Sequence, residues 1–147
     1  MRAPFQILSV PYRFIKGELC FCVFHRADFD VWQFIAGGGE DNKKTIQAAL
    51  REIKEETGVT AEKLTELKSV AFVPAEIVTE NMRTHWDKNI FVIPEYSFAF
   101  ECNADPTISH EHSEYQWLPY NDARNLLKWD SNKVAMYEIM CRLRNNE

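Results

Sequence analysis

Between Gly37 and Val59 the chain reads GGGEDNKKTIQAALREIKEETGV, and few folds can use such a string. Three consecutive glycines end a short apolar run, Trp32 to Ala36, with a backbone free to bend where side chains would clash. Residues 45 to 57 then place Ile46, Ala49, Leu50 and Ile53 at helical spacing, which predicts a helix with one apolar face. Gly58 is a natural C-terminal stop. The polar side of that helix carries Glu52, Glu55 and Glu56 at i, i+3 and i+4, so their carboxylates cluster. Each close pair of like charges costs a few tenths of a kcal/mol on an exposed helix. A divalent cation among the carboxylates would remove that cost, and hard oxygen ligands suit Mg²⁺ or Mn²⁺. A solvated acidic face beside Lys54 is the plainer account of three glutamates alone. The wider spacing argues against it. If Gly37, Arg51, Glu52, Glu55, Glu56 and Gly58 each occur at about one position in fifteen, their joint spacing arises by chance roughly once in ten million windows.

The remaining chain supplies a frame for this helix. Residues 5 to 12 read as a strand, Lys16-Gly17 as a turn, and Leu19 to His25 as the second strand of a hairpin. Further strands are expected near 67 to 78, 90 to 102 and 114 to 118. Helices are expected over 121 to 127 and 132 to 143, with Asn121 and either Ser131 or Asn132 as N-caps. Strands interleaved with helices predict an α/β fold whose mixed sheet is covered on both faces. With 147 residues and no linker, repeat or low-complexity tract, residues 1 to 147 read as one domain.

Bulk properties narrow the function classes. The formal charge of −5 disfavours a nucleic-acid partner, though bound cations can still reverse the local sign for a phosphate substrate. Aromatic residues reach 13%, enough to furnish both a core and the walls of a ligand pocket. Cys20, Cys22, Cys102 and Cys141 form no CxxC pair and no zinc-like Cys/His cluster, and read as reduced packing residues. Cys20 and Cys22 stand two apart and so face one side of a strand. No stretch approaches 18 apolar residues and the N-terminus lacks a signal-peptide pattern, so a cytoplasmic protein without a membrane partner is expected.

The Gly37–Val59 string resembles the Nudix box: Gly, five residues, Glu, seven residues, Arg-Glu, an aliphatic, any residue, Glu-Glu, any residue, Gly, an aliphatic. Ile53 and Val59 are the aliphatics, and the single departure is Lys43 where the family has glutamate. The resemblance extends through VWQFIAGGGED, FVIPEYSFAF, EHSEYQWLPYNDA and LLKWDSNKVAMYEI. These segments are similar to the bacterial Nudix branch known as dATP pyrophosphohydrolase, itself similar to dihydroneopterin triphosphate pyrophosphatase. The resemblance implies the Nudix α/β/α sandwich with a central mixed β-sheet. It implies a Mg²⁺- or Mn²⁺-dependent enzyme that cleaves a nucleoside or pterin triphosphate, dATP-like, to the monophosphate and pyrophosphate. It further implies metal ligation by Glu52, Glu55, Glu56, the Gly37 carbonyl and Glu111, with Arg51 orienting a neighbouring carboxylate. Glu52 is the first choice of general base and Glu111 the second. Cleavage of a dinucleoside polyphosphate or nucleotide-sugar is the alternative enzyme. A nucleotide-binding module without catalysis is the alternative of another class, favoured only by Lys43.

Other residues carry two readings each. Arg2 and Arg26 are candidates for phosphate contact or plain surface charges. Trp32 is a candidate for stacking on a base or pterin ring, or for the core. The run TENMRTHW, with His85 and Trp86, is either a loop covering substrate or a solvated connection. His110 and His112 lack the spacing of zinc ligands. Trp129, Asp130, Ser131 and Asn132 precede the last helix, where capping is the plainer role and substrate contact the sharper one.

Overall fold

The computed structural model describes residues 1–145. Its core is a seven-stranded mixed sheet. Strands β1 (Arg2–Ile15) and β2 (Glu18–Arg26) form the expected hairpin, turning through Lys16 and Gly17, both at positive φ. Next come β3 (Trp32–Gln33), β4 (Ile35–Glu40) and helix α1 (Thr45–Thr57). β5 (Thr65–Pro74), β6 (Val92–Glu101) and β7 (His112–Pro119) precede α2 (Tyr120–Leu126) and α3 (Asp130–Asn145). The strands run in the order β3-β2-β1-β6-β5, with β4 also on β1 and β7 also on β2. β1 and β6 are parallel; the other ladders are antiparallel.

Both faces of the sheet are covered, so its central strands are apolar at successive positions rather than at alternate ones. Phe21 and Val23 pack with Leu8, Met136 and Ile139 on the side of α2 and α3. Cys22 and Phe24 face the other way, against Ile35 and Ile53 of α1. Cys20 and Cys22 share the two-residue period, and the four cysteines are free thiols, three of them buried. No helix among the described residues is long and apolar enough to cross a membrane.

Several local expectations are corrected by packing. The buried face of α1 is Ala48, Ala49, Ile53, Glu56 and Thr57, while Ile46 and Leu50 are each 39% exposed. The inward stripe is therefore rotated toward the glutamates. Gly37, Gly38 and Gly39 do not bend the chain. They lie in β4, where Gly37 and Gly38 pair with Ile7 and Gln6 of β1. A Cβ at Gly37 would meet the Glu52 side chain, at Gly38 the Arg2 guanidinium, and at Gly39 the Phe5 ring. The triplet serves close approach. Asn121 lies inside α2, whose N-cap is Pro119. Ser131 and Asn132 lie inside α3, and Asn132 does something no local rule foretells: its buried Oδ1 accepts from the Phe34 N–H at 2.8 Å. The strand expected to reach residue 78 ends at Pro74, and two short 3₁₀ turns, Ala75–Ile77 and Glu80–Met82, follow.

Candidate active site

Helix α1 packs across β4 with its acidic side turned to the glycine strand. Gly58, at φ 73°, ends the helix in the left-handed conformation, and its N–H donates to the Lys54 carbonyl at 2.9 Å. Beyond that stop, backbone bonds stitch a distant loop to the helix end. Thr107 N–H donates to the Thr57 carbonyl at 2.8 Å and Ser109 N–H to the Glu56 carbonyl at 3.3 Å. The Ala27 N–H donates to the Glu111 carbonyl at 2.8 Å. These bonds bring Glu111 close enough for its charge to disfavour ionisation of both Glu52 and Glu56.

The glutamates differ sharply in setting. Glu56 is only 3% exposed. Burial, then the charges of Glu52 and Glu111, raise its pKa well above the carboxylate range. Burial also raises that of Glu52, against the pull of a hydrogen bond from Glu56 and the charge of Arg51. Without a cation, burial and mutual repulsion favour one proton shared between Glu56 and Glu52 over two full charges. The buried Oε2 of Glu56 has no hydrogen-bond partner, and His112 Nε2 lies 3.7 Å from Oε1. Glu55 is exposed, with Arg51 Nε at 4.0 Å.

Arg51 organises the group. It donates to Glu40, to the Gly38 carbonyl at 2.7 Å and to Glu52 Oε1 at 3.1 Å. Lys43 is exposed, and Glu40 supplies an acceptor for Arg51. The donor set fits a hard divalent cation. It offers a buried carboxyl with an orphaned oxygen, two neighbouring carboxylates and a strand backbone held open by glycine. Among the described residues, no three such groups already surround a single point, so closure around an ion would require small side-chain rotations.

A cavity of about 480 Å³ opens beside this cluster, lined by Gly37, Glu56, Glu111, His112, Arg26 and Gln6 among others. A second cavity of about 500 Å³ adjoins it through the shared residues Gln6, Arg26, Gln33 and Ala36. Its walls are more apolar, with Val78, Met82 and Trp129. Arg26 lines both cavities and is paired with Asp28 while lying over the Phe29 ring. Arg2 lines the second cavity and is half-buried. It donates to the Ala3 and Phe5 carbonyls and to Gln6 Oε1, each at 2.6 Å. Trp32 lines neither cavity. It packs on His25 and against the core beneath α2 and α3. Trp129 is the indole in the cavity wall, fixed by its Nε1–H donating to Gln33 Oε1 at 3.0 Å. The TENMRTHW run folds back over the N-terminus, where His85 and Trp86 both reach the Arg2 carbonyl. Its Thr79 and Met82 line the second cavity. Gln6 and Glu95 belong to no motif that marks them in the sequence. The signal available for Glu95 was a lone acid within the apolar run FVIPEYSFAF.

Residues 15–139 match the family model described as the NUDIX domain. The chain is 32% identical over 118 residues to the dihydroneopterin triphosphate diphosphatase of Escherichia coli K12, covering 78% of each chain. It is 27% identical over 107 residues to the asymmetrical bis(5'-nucleosyl)-tetraphosphatase of Sus scrofa, covering 73% of this chain and 68% of that one. In three dimensions it aligns with a Nudix protein of Listeria monocytogenes at a TM-score of 0.82 and 42% identity, covering 98% of this chain and 97% of the other.

Proposed function

We propose, from the premise that this chain belongs to the Nudix family and is a Nudix hydrolase, that it is a Mg²⁺-dependent pyrophosphohydrolase of nucleoside or pterin triphosphates. The products are the monophosphate and pyrophosphate. The dATP-like substrate expected from the sequence is one member of that class. The observation that carries the reading is the buried Glu56, with its orphaned oxygen, beside Glu52 and in the wall of a cavity wide enough for a triphosphate.

In this reading Glu52, Glu55, Glu56, Glu111 and the Gly37 carbonyl would hold the cation; Mn²⁺ suits the same donors. When bound, the cation neutralises the diphosphate and the charge that develops on the leaving group. The chain's own residues supply the rest. Arg51 fixes the rotamer of Glu52 and favours its ionised form through charge. Glu52 is then the base that takes a proton from the attacking water, with Glu111 the second choice. Arg26 offers positive charge where the two cavities meet, and the triphosphate would lie along the first cavity with its organic part in the second. Arg2 and Trp129 would bound that organic part; Trp32 has no cavity surface with which to stack on it.

The test is a product assay on nucleoside and pterin triphosphates, with and without Mg²⁺. Pyrophosphate release that requires Mg²⁺, and that Glu56→Gln nearly abolishes, is the expected result. Metal affinity unchanged by that substitution would remove Glu56 from the ligand set. Production of a nucleoside triphosphate from a dinucleoside tetraphosphate, at higher efficiency, would favour an activity like that named for the Sus scrofa relative.

A further inference from the structure

The second cavity contains one acidic residue, and it stands in an unusual state. Glu95 lies in β6 opposite Gln6 of β1, is only 6% exposed, and lines the cavity with its Oε1 lacking any hydrogen-bond partner. A buried carboxyl oxygen without a donor costs free energy in the empty protein. A ligand that brings donors removes that cost.

The neighbours of Glu95 determine which ligands can do so. The two polar side chains beside it are Gln6 and Ser131. Gln6 already uses its Oε1 to accept from Arg2, so its amide N–H groups are what remain for Glu95. The Ser131 hydroxyl accepts from Asn132 Nδ2 at 3.1 Å, so its own proton is what it can donate. Both neighbours are thereby fixed as donors toward the carboxyl group. Burial raises the Glu95 pKa above the ordinary carboxylate value, and the donors of Ser131 and Gln6 only partly offset it. An ionised carboxylate only accepts, and has about four lone-pair sites, so two such neighbours leave capacity unused. Arg2 and Arg26, the other charged groups lining the cavity, are also donors.

We propose that Glu95 is a specificity-determining residue, and that it reads the 2-amino-4-oxo edge shared by guanine and pterin rings. Such an edge presents a ring N–H and an exocyclic amino group side by side, and a carboxylate accepts from both. The adjacent oxo group would accept from a guanidinium, and Arg2 and Arg26 line the same cavity. Adenine presents an amino donor beside a ring nitrogen lone pair, which the carboxylate repels. The cavity dimensions agree. About 500 Å³, bounded by the Trp129 indole and by Val78 and Met82, accommodates a flat bicyclic ring. This inference rests on the triphosphate reading above only for the orientation of the substrate.

Binding and turnover separate the two. In EDTA, the equilibrium affinity of the protein for GMP, IMP, AMP and neopterin is measured by titration. IMP differs from GMP by loss of the amino group alone. GMP or neopterin is expected to bind more tightly than IMP and AMP by about ten- to a hundredfold, the range of a hydrogen bond to a buried charge. Glu95→Gln, nearly isosteric, is expected to bring that ratio close to one. With Mg²⁺, the same substitution should raise KM for GTP or dihydroneopterin triphosphate and leave kcat within a few-fold; whichever of these two wild type prefers identifies the ring. Equal affinity for GMP, IMP and AMP with no preference for neopterin, or a uniform loss on all ligands in Glu95→Gln, overturns the inference while hydrolysis can still stand. Glu95-dependent discrimination in binding by a protein that cleaves none of the triphosphates upholds the inference and overturns the triphosphate reading instead.

Discussion

Glu111 is held at the end of α1 by backbone bonds rather than by packing of its own side chain, which is exposed. A substitution there should therefore change chemistry and spare the fold. Glu111→Gln is expected to lower kcat by roughly 10²–10⁴-fold if the group takes part in proton transfer or metal binding. Its circular dichroism should match wild type and its melting midpoint in EDTA should be no lower; activity within a few-fold of wild type would make Glu111 a structural loop residue. Lys43 calls for the opposite expectation. Arg51 already has Glu40 as its acceptor, so the glutamate usual in the Nudix box is not needed to hold it. Lys43→Glu should change kcat/KM by less than about tenfold, equivalent to 1.4 kcal/mol in the barrier. An inert wild type rescued by Lys43→Glu would overturn this and favour a binding module. At this scale the box residues were legible in the chain because helical spacing places them by arithmetic. Trp129, Gln6 and Glu95 were harder to see, because their meeting depends on β1, β6 and the start of α3 coming together across the fold.

The elements show how backbone irregularities are compensated. The ladder between β5 and β6 shifts register between Glu66 and Val70, leaving the N–H groups of Lys68 and Ser69 to find other acceptors. Glu138 of α3 accepts both at 2.8 Å, along with the Ser69 hydroxyl and Arg142. Burial alone would raise its pKa, but these donors together outweigh burial and lower it. A carboxylate with a depressed folded-state pKa stabilises the fold above its unfolded value and loses that contribution as pH falls through the folded value. Glu138→Gln should thus cost about 1–2 kcal/mol at neutral pH. The gap from wild type should narrow as the pH drops below the ordinary glutamate range near 4.3, approximately. Denaturant titrations across pH 3 to 7, approximately, measure this; a gap independent of pH would show that the charge is immaterial. The helices and most strands were legible from periodicity. The inward face of α1 departs from its apolar spacing, because Ile46 and Leu50 are apolar yet half-exposed while Glu56 is buried. A carboxyl occupies a position on the buried face of the helix.

Across the whole molecule, the acidic site carries a stability cost that a cation would relieve. Placing Glu56 among Glu52 and Glu111 at low exposure disfavours the folded state while the ion is absent. Saturating Mg²⁺ at about 100 times its Kd should add ~2.7 kcal/mol to stability. That corresponds to a rise in the melting midpoint of about 5–10 °C for a chain of this size. Glu56→Gln should melt no lower than wild type in EDTA and gain less from Mg²⁺. A wild-type midpoint that does not move between EDTA and millimolar Mg²⁺ would count against the metal assignment. The sheet that carries this site also imposes an order on its own formation. On one edge, β1 pairs with β2 and β4, both encoded by residue 40. Its other edge waits for β6, which begins at Val92, and that pairing is parallel. A ribosome emitting this chain therefore releases a central strand with one open flank long before the segment that closes it. The interval is when chaperones, or another nascent copy, can compete for β1, so the growing polypeptide is more exposed to aggregation than the finished protein.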